Sequence, residues 1–246
     1  MAKYSLRLAY LYPKLLNIYG DSGNVMALQK RCEWRGIDLT VDEIDADDNI
    51  SENLYDMYFI GGGQDKQQYA AAEALMRQKE HLRNAQDNNA VMLAICGGYQ
   101  LFGKYYQLPD GKRLPGIDLL DIYTVASEER HIGNVTENCN IDGVGTLVGF
   151  ENHSGLTYIE KHSLTKPLGT VSTGAGNNGK DATEGAYKKN VFGTYLHGSF
   201  LPKNPKFADY MIKTALTRKY FENVDILPLD DEFAIMAHES VLNKKY

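Results

Sequence analysis

Cysteine is scarce in this sequence: there are three among 246 residues, Cys32, Cys96 and Cys139, and no two lie close along the chain. That excludes a disulfide framework and the paired spacing of a structural zinc site, and it fits a reducing, cytoplasmic compartment. Long apolar runs are missing too. None approaches the ~18 residues of a membrane helix, and Met1 to Tyr12 lacks the apolar segment of a secretory signal. The sequons at Asn134 and Asn152 are therefore expected to carry no sugar. No basic cluster stands out and the formal charge is −6, which disfavours nucleic-acid binding. No internal repeat or low-complexity linker divides the chain. With 43% hydrophobic residues, a single domain over residues 1–246 with a sizeable core is expected.

Against these absences stands one stretch, Ala90 to Gly103. Val91 to Ile95 is an unbroken apolar run, the mark of a strand buried on both faces. Cys96 follows where the run stops, then Gly97-Gly98, then Tyr99, Leu101 and Phe102, which can begin a helix. Strand, polar atom on a sharp turn and small neighbours together form a nucleophile elbow, with Cys in place of Ser. The small residues permit the turn, and helix amides aimed at the sulfur favour thiolate. The competing reading is a buried structural Cys. The glycines and Gln100 favour the nucleophile.

Read in order, Leu6 to Tyr12 is a first strand. A polar loop follows from Asn17 to Asn24, then a helix with Val25, Leu28 and Cys32 on one face, stopped at Gly36. Ile37 to Ile44 alternates as a second strand, and Asp42 to Asp56 reads as a solvated acidic loop. Asp56 to Ile60 is a third strand, ending in Gly61-Gly62-Gly63-Gln64-Asp65. Lys66 to Asn84 is helical in composition. This order predicts an α/β fold, a largely parallel central sheet with helices on both faces. Later strands are expected at Leu119–Ala126, Ile132–Glu137 and Leu147–Gly155, and a late one from Asn190 ending at His197. Asn204-Pro205 reads as a cap with Pro at the first helical position, and Glu232 to Val241 as a last helix. Gly174 to Lys180 fits a Walker A loop until Asp181 stands where Ser or Thr is needed, and no helix follows; the match is accidental.

A nucleophilic Cys needs a base. His197 sits at a strand end; His153, in Glu-Asn-His-Ser-Gly, is its rival. The Cys elbow resembles that of class I glutamine amidotransferases. Tyr19-Gly20-Asp21-x-Gly23-Asn24, the Gly61 turn, the Cys96 elbow, Gly149 to His153 and Gly193-x-Tyr195-Leu196-His197-Gly198 occur together, in order. The combination is similar to the cobyric-acid-synthase-like amidotransferases. Within them it resembles the glutaminase subunits of lipid II isoglutaminyl synthases, over nearly the whole chain.

The resemblance implies a flavodoxin-like fold and a set of roles. Cys96 would attack the glutamine amide carbon, His197 would protonate the departing ammonia, and Gly62 and Gly97 amides would hold the oxyanion. Arg130 would bind the substrate carboxylate by paired hydrogen bonds; without the resemblance it reads as a surface residue beside Glu128 and Glu129. No cofactor or metal is implied. The implied partner is a Mur-ligase-like (MurT-like) synthetase subunit that supplies the ATP site and amidates D-glutamate of lipid II in peptidoglycan synthesis. Two alternatives stand beside this: the amidotransferase subunit of another, cobyrinate-type synthetase, and a non-catalytic subunit with a relic site. The sequence also departs from the class. His-x-Glu is the usual triad pattern, but here His197-Gly198-Ser199 lacks the acid. The missing carboxylate is expected from the partner, with Glu151 of this chain as the alternative.

Overall fold

The computed structural model describes residues 3–18, 20–50, 55–63 and 65–243. Tyr19 and Gln64, both in motifs singled out above, lie outside the described residues. The elements in chain order are β1 (Tyr4–Leu11), α1 (Ser22–Glu33), β2 (Ile37–Ile44), β3 (Met57–Ile60), α2 (Asp65–Arg77), α3 (Lys79–Asp87), β4 (Val91–Ile95), α4 (Gly97–Phe102), β5 (Tyr105–Gln107) and β6 (Arg113–Pro115). Then come β7 (Ile122–Cys139), β8 (Thr146–Ile159), β9 (Gly169–Thr173), β10 (Thr183–Glu184), β11 (Ala186–Lys188), β12 (Val191–Thr194), α5 (Phe200–Lys203), α6 (Pro205–Tyr220) and α7 (Glu232–Leu242).

The first sheet has strand order β11-β12-β4-β3-β1-β2. All its pairings are parallel except β11 with β12. Its central strands carry uninterrupted apolar sequence because helices cover both faces: every residue of β3, β4 and β12 is buried. The carboxyl ends of β1, β3, β4 and β12 therefore lie side by side. In an open parallel sheet that edge is where ligands bind. The loop after β1, the Gly61 turn, Cys96 and the segment leading to His197 all start there.

A second sheet, of order β10-β9-β7-β5-β6 with β8 on β7, was not expected. Its spine is the antiparallel pair β7 and β8. The two strands expected at Leu119–Ala126 and Ile132–Glu137 are one strand, and Ser127 to His131 between them is a register shift within it. A bulge of that kind re-aims side chains without ending the strand, which is why one strand with a polar interruption reads as two. The helix expected over Lys66 to Asn84 is broken at Gln78 (φ −98°). Gln78 is buried and its amide bonds the backbone of Asp48 and Ile50. Pro205 does open α6. The Asn204 side chain, however, does not cap it; it reaches β8 and bonds Val148 N (2.9 Å) and Val148 O (2.8 Å). The acidic stretch is only partly solvated, because Asp56 is buried against Arg218 and Lys219. Among the described residues no helix is long and apolar enough to cross a membrane.

Candidate active site

Cys96 sits between β4 and α4 with φ 50° and ψ −105°. A positive φ on a non-glycine residue away from the left-handed helical well is strained, and strain of this kind belongs to functional turns. Neighbouring backbone holds it: Cys96 N donates to Thr194 O (2.9 Å) and Cys96 O accepts from Gln100 N (3.0 Å). Gly98 has no room for a side chain, since a Cβ there would stand 2.8 Å from Gly61 O.

His197 is fully buried beyond the end of β12 and pairs in an isolated bridge with Phe150 of β8. Burial works against its imidazolium. Interaction with the Cys96 sulfur and with the Asp21 carboxylate outweighs burial, and the ring is pushed up to about 10. The carboxylate lies at His197 Nδ1: Asp21 Oδ1 is 3.9 Å away, and neither side chain is exposed. Asp21 is held by its other oxygen, which accepts from Gly62 N at 2.6 Å. The loop carrying Asp21 is in turn fastened to the His197 segment. Ser199 Oγ donates to Gly20 O (2.7 Å), and Leu201 N donates to Asn24 Oδ1 (2.7 Å).

Within this chain, then, a carboxylate that the His-Gly-Ser segment itself lacks stands near His197. Glu151 does not fill that place. Its oxygens accept from Ala175 N (2.8 Å) and Gly176 N (2.9 Å), and one lies 3.6 Å from His153 Nε2. The glycine loop that mimicked a Walker motif is accordingly a cradle for an internal carboxylate. His153, the rival base, is built into the wall. Its ring stacks on Tyr195 at 3.6 Å, and Nδ1 donates to Gly155 O (2.8 Å).

The sulfur opens on a cavity of about 590 Å³ lined by Gly63, Gln68, Gly97, Gln100, Arg130 and Asn152 among others. Arg130 stands at the β7 register shift and donates from Nε to Asn152 Oδ1 at 2.6 Å. The cavity therefore brings Cys96, Gly97 and Arg130 together. Gly62 is placed differently. Its amide is committed to Asp21, and it packs its bare Cα side against the catalytic pair: a Cβ would lie 3.1 Å from His197 Cε1 and 3.2 Å from Cys96 Cβ. The next backbone nitrogen, Gly63 N, lies beside Gly97, 3.3 Å from where a Cβ on Gly97 would stand, and Gly63 lines the cavity. Beneath the cavity runs a chain of amides and hydroxyls: Gln68 Nε2 to Gln100 Oε1 (2.7 Å), Gln100 Nε2 to Tyr195 Oη (3.0 Å), and Tyr195 Oη with Thr157 Oγ1 (2.6 Å). Among the described residues no group of three or more His, Cys, Asp and Glu is disposed to hold a metal.

Sequence reasoning gave no role to Asp21, Gly63, Gln68 or Tyr195. Asp21 had one usable signal, a carboxylate in a polar glycine loop directly after the first strand of a parallel sheet.

A thiol beside a buried imidazole and carboxylate, at the carboxyl edge of a parallel sheet, defines a cysteine-dependent amidotransferase class. Residues 7–205 match the CobB/CobQ-like glutamine amidotransferase domain, and the chain belongs to that family and is a glutamine amidotransferase. It is similar to subunit GatD of the glutamine-hydrolyzing lipid II isoglutaminyl synthase of Streptococcus pneumoniae, with 42% identity over 93% of this chain and 87% of the relative. The same subunit of Staphylococcus aureus is 40% identical over 98% of this chain and 96% of that one. A probable cobyric acid synthase of Methanopyrus kandleri is 32% identical, but over 66% of this chain and 34% of its own length. Among solved structures, a glutamine amidotransferase from Thermotoga maritima superposes with TM-score 0.57 at 13% identity, covering 96% of this chain and 93% of that one. The glutaminase domain of Trypanosoma brucei CTPS does so with TM-score 0.53 at 12% identity, covering 89% and 96%. Identities that low speak for the shared fold alone.

Proposed function

We propose that this chain is the glutaminase subunit of a lipid II isoglutaminyl synthase. The observation that carries the reading is Cys96, backed by the buried His197, opening with Arg130 on one cavity in a chain akin, nearly end to end, to two such subunits. Glutamine enters with its α-carboxylate toward Arg130. Cys96 attacks the side-chain amide carbon, and the tetrahedral oxyanion is held by the amides of Gly63 and Gly97. The Gly62 amide is already given to Asp21, so its part is to hold that carboxylate in place. His197, kept as imidazolium by the sulfur and Asp21, gives its proton to the leaving nitrogen. Ammonia departs and a glutamyl thioester remains. Water activated by the now neutral His197 then releases glutamate. Ammonia passes to an ATP-dependent, Mur-ligase-like partner that amidates D-glutamate of lipid II. The test is glutamate release from L-glutamine, with and without the synthetase subunit, and amidated lipid II when both are present. Cys96→Ala should fold normally and lose activity by roughly 10⁶, as removal of a catalytic nucleophile does. A folded Cys96→Ala protein that still released glutamate would overturn the mechanism.

A further inference from the structure

The last helix is the least covered element of the molecule. None of the residues of α7 is buried. Yet Phe233 is 85% exposed and Met236 58%, in a helix whose sequence is mainly apolar. An apolar ridge left in water marks an interaction surface. The helix is not loosely attached. Its N-terminal flank is clamped by Asp231, which takes both Arg31 NH groups (2.6 and 2.8 Å), and the Arg31 side chain is only 7% exposed. At its middle, His238 binds Thr146 Oγ1 and Lys203 O, each at 2.8 Å. These ties fix which face looks outward. Between the helix and the body lies a groove of about 280 Å³, walled by Val144, Leu147, Phe207, Ile235 and Leu242 and bordered by Lys206 and Glu239. It is the size of a socket for one or two apolar side chains.

Charge says what kind of surface fits. From Phe221 to Leu242 there are six acids, Glu222, Asp225, Asp230, Asp231, Glu232 and Glu239, and no Lys or Arg. That segment alone carries a formal charge equal to the −6 of the entire chain. Asp231 and Asp225 are paired with Arg31 and Lys213. Asp230, Glu232 and Glu239 meet no basic side chain among the described residues. A second copy of this chain would bring the same acids to the contact, and like charges face to face are costly. The geometry points to a different protein with apolar anchors and a basic rim, and we propose that this occupant is the synthetase subunit. This rests on the reading above that the chain works with such a subunit. The position suits that role: through Lys203, α7 touches α5, the helix that follows His197.

The experiment measures binding of the purified synthetase subunit to the full chain by calorimetry, with glutaminase activity and thermal midpoint recorded in parallel. Phe233→Asp with Met236→Asp should weaken Kd about 30-fold or more, the scale of losing a buried aromatic anchor. Glutamine hydrolysis by the isolated chain should be unchanged. Leucine at both positions should restore most of the affinity. Glu232→Lys with Glu239→Lys should weaken binding and flatten its dependence on salt. Wild-type affinity in both acidic and basic variants would overturn the proposal while leaving the glutaminase reading intact. So would a dimer of the isolated chain that the Phe233 and Met236 variant abolishes. No binding by the wild-type chain would overturn the partner reading and this inference together.

Discussion

Asp21 and His197 are 176 residues apart in sequence, and their contact decides how the general acid works. The carboxylate stabilises the imidazolium by charge at 3.9 Å, longer than an ordinary hydrogen bond. Asp21→Asn changes this with little change of shape. The Asn oxygen still accepts from Gly62 N, so its NH₂ turns toward His197 and presents a donor to Nδ1. That favours the wrong tautomer, and kcat should fall by up to about 10⁴ with KM little altered. The pH profile should move as well. His197 is raised to about 10, so activity that needs the imidazolium persists through neutral pH and is lost as pH rises through that value. Without the Asp21 charge the alkaline limb moves to lower pH. An unchanged limb in the Asn variant would return Asp21 to a purely structural role. Arg130 contributes differently, because it meets a part of the substrate that does not react. Arg130→Ala should raise KM for glutamine by more than it lowers kcat, read from steady-state kinetics of glutamate release. An unchanged KM would place the carboxylate elsewhere in the cavity.

At the scale of elements, the second sheet carries a charge problem of its own. Glu137 of β7 is 1% exposed, and its oxygens find no hydrogen-bond donor among the described residues. Burial, and then the charge of Glu184 in β10, hold its carboxyl well above the usual range. Burial likewise raises Glu184 to about 7, although Thr194 Oγ1 and Tyr195 N both donate to it. The sign follows. A buried acid with a raised value in the folded state binds a proton the unfolded chain has released. Its favourable contribution is present below about 4.5 and is lost as pH rises toward the folded value. The sheet should therefore weaken between pH 5 and pH 8. Glu137→Gln removes the ionisation with nearly the same volume. It should raise the thermal midpoint at pH 8 relative to wild type by several degrees, the shift that about 1–2 kcal/mol produces, and have little effect at pH 5. Equal shifts at both values would mean that packing, not charge, had changed.

Across the whole molecule, Arg31 ties the C-terminal segment to the parallel-sheet body. Its guanidinium forks to Asp209 of α6 and to Asp231 before α7, with bonds of 2.6 to 2.8 Å. A buried pair of this kind adds little over well-packed apolar groups, but breaking it from one side leaves charges stranded. Arg31→Met should cost about 3–5 kcal/mol in a denaturant titration, and the double change Arg31→Met with Asp231→Leu should recover part of it. Local loosening of α7 should show as faster amide exchange in residues 232–242. A midpoint unmoved by Arg31→Met would mean that the other ties of the tail, Arg35 to Leu227 O, Lys213 to Asp225 and His238 to Lys203 O, hold it without Arg31.

Much of this was legible from the residues alone. The apolar run into Cys96, its glycines and the alternation of strand and helix patterns are local features. Local chemistry determines them: a strand covered on both faces must be apolar, and a sharp turn requires small neighbours. His197 was legible as a strand-end histidine, and Pro205 as a helix start. What tertiary structure decided was everything that depends on which distant groups meet. Glu151 and Asp21 are both plausible acids in sequence, but only the adjacency of β1, β3, β4 and β12 puts Asp21 at His197, while antiparallel pairing puts Glu151 under the loop at Ala175. Gly62 and Gly63 are indistinguishable as letters; only the fold shows that the Gly62 amide is bonded to Asp21 and that Gly63 lines the cavity. The strand β7 reads as two because a register shift has no period of its own. The exposed face of α7 follows from clamps at Arg31, Thr146 and Lys203, since periodicity shows that a helix has faces but not which one the body covers.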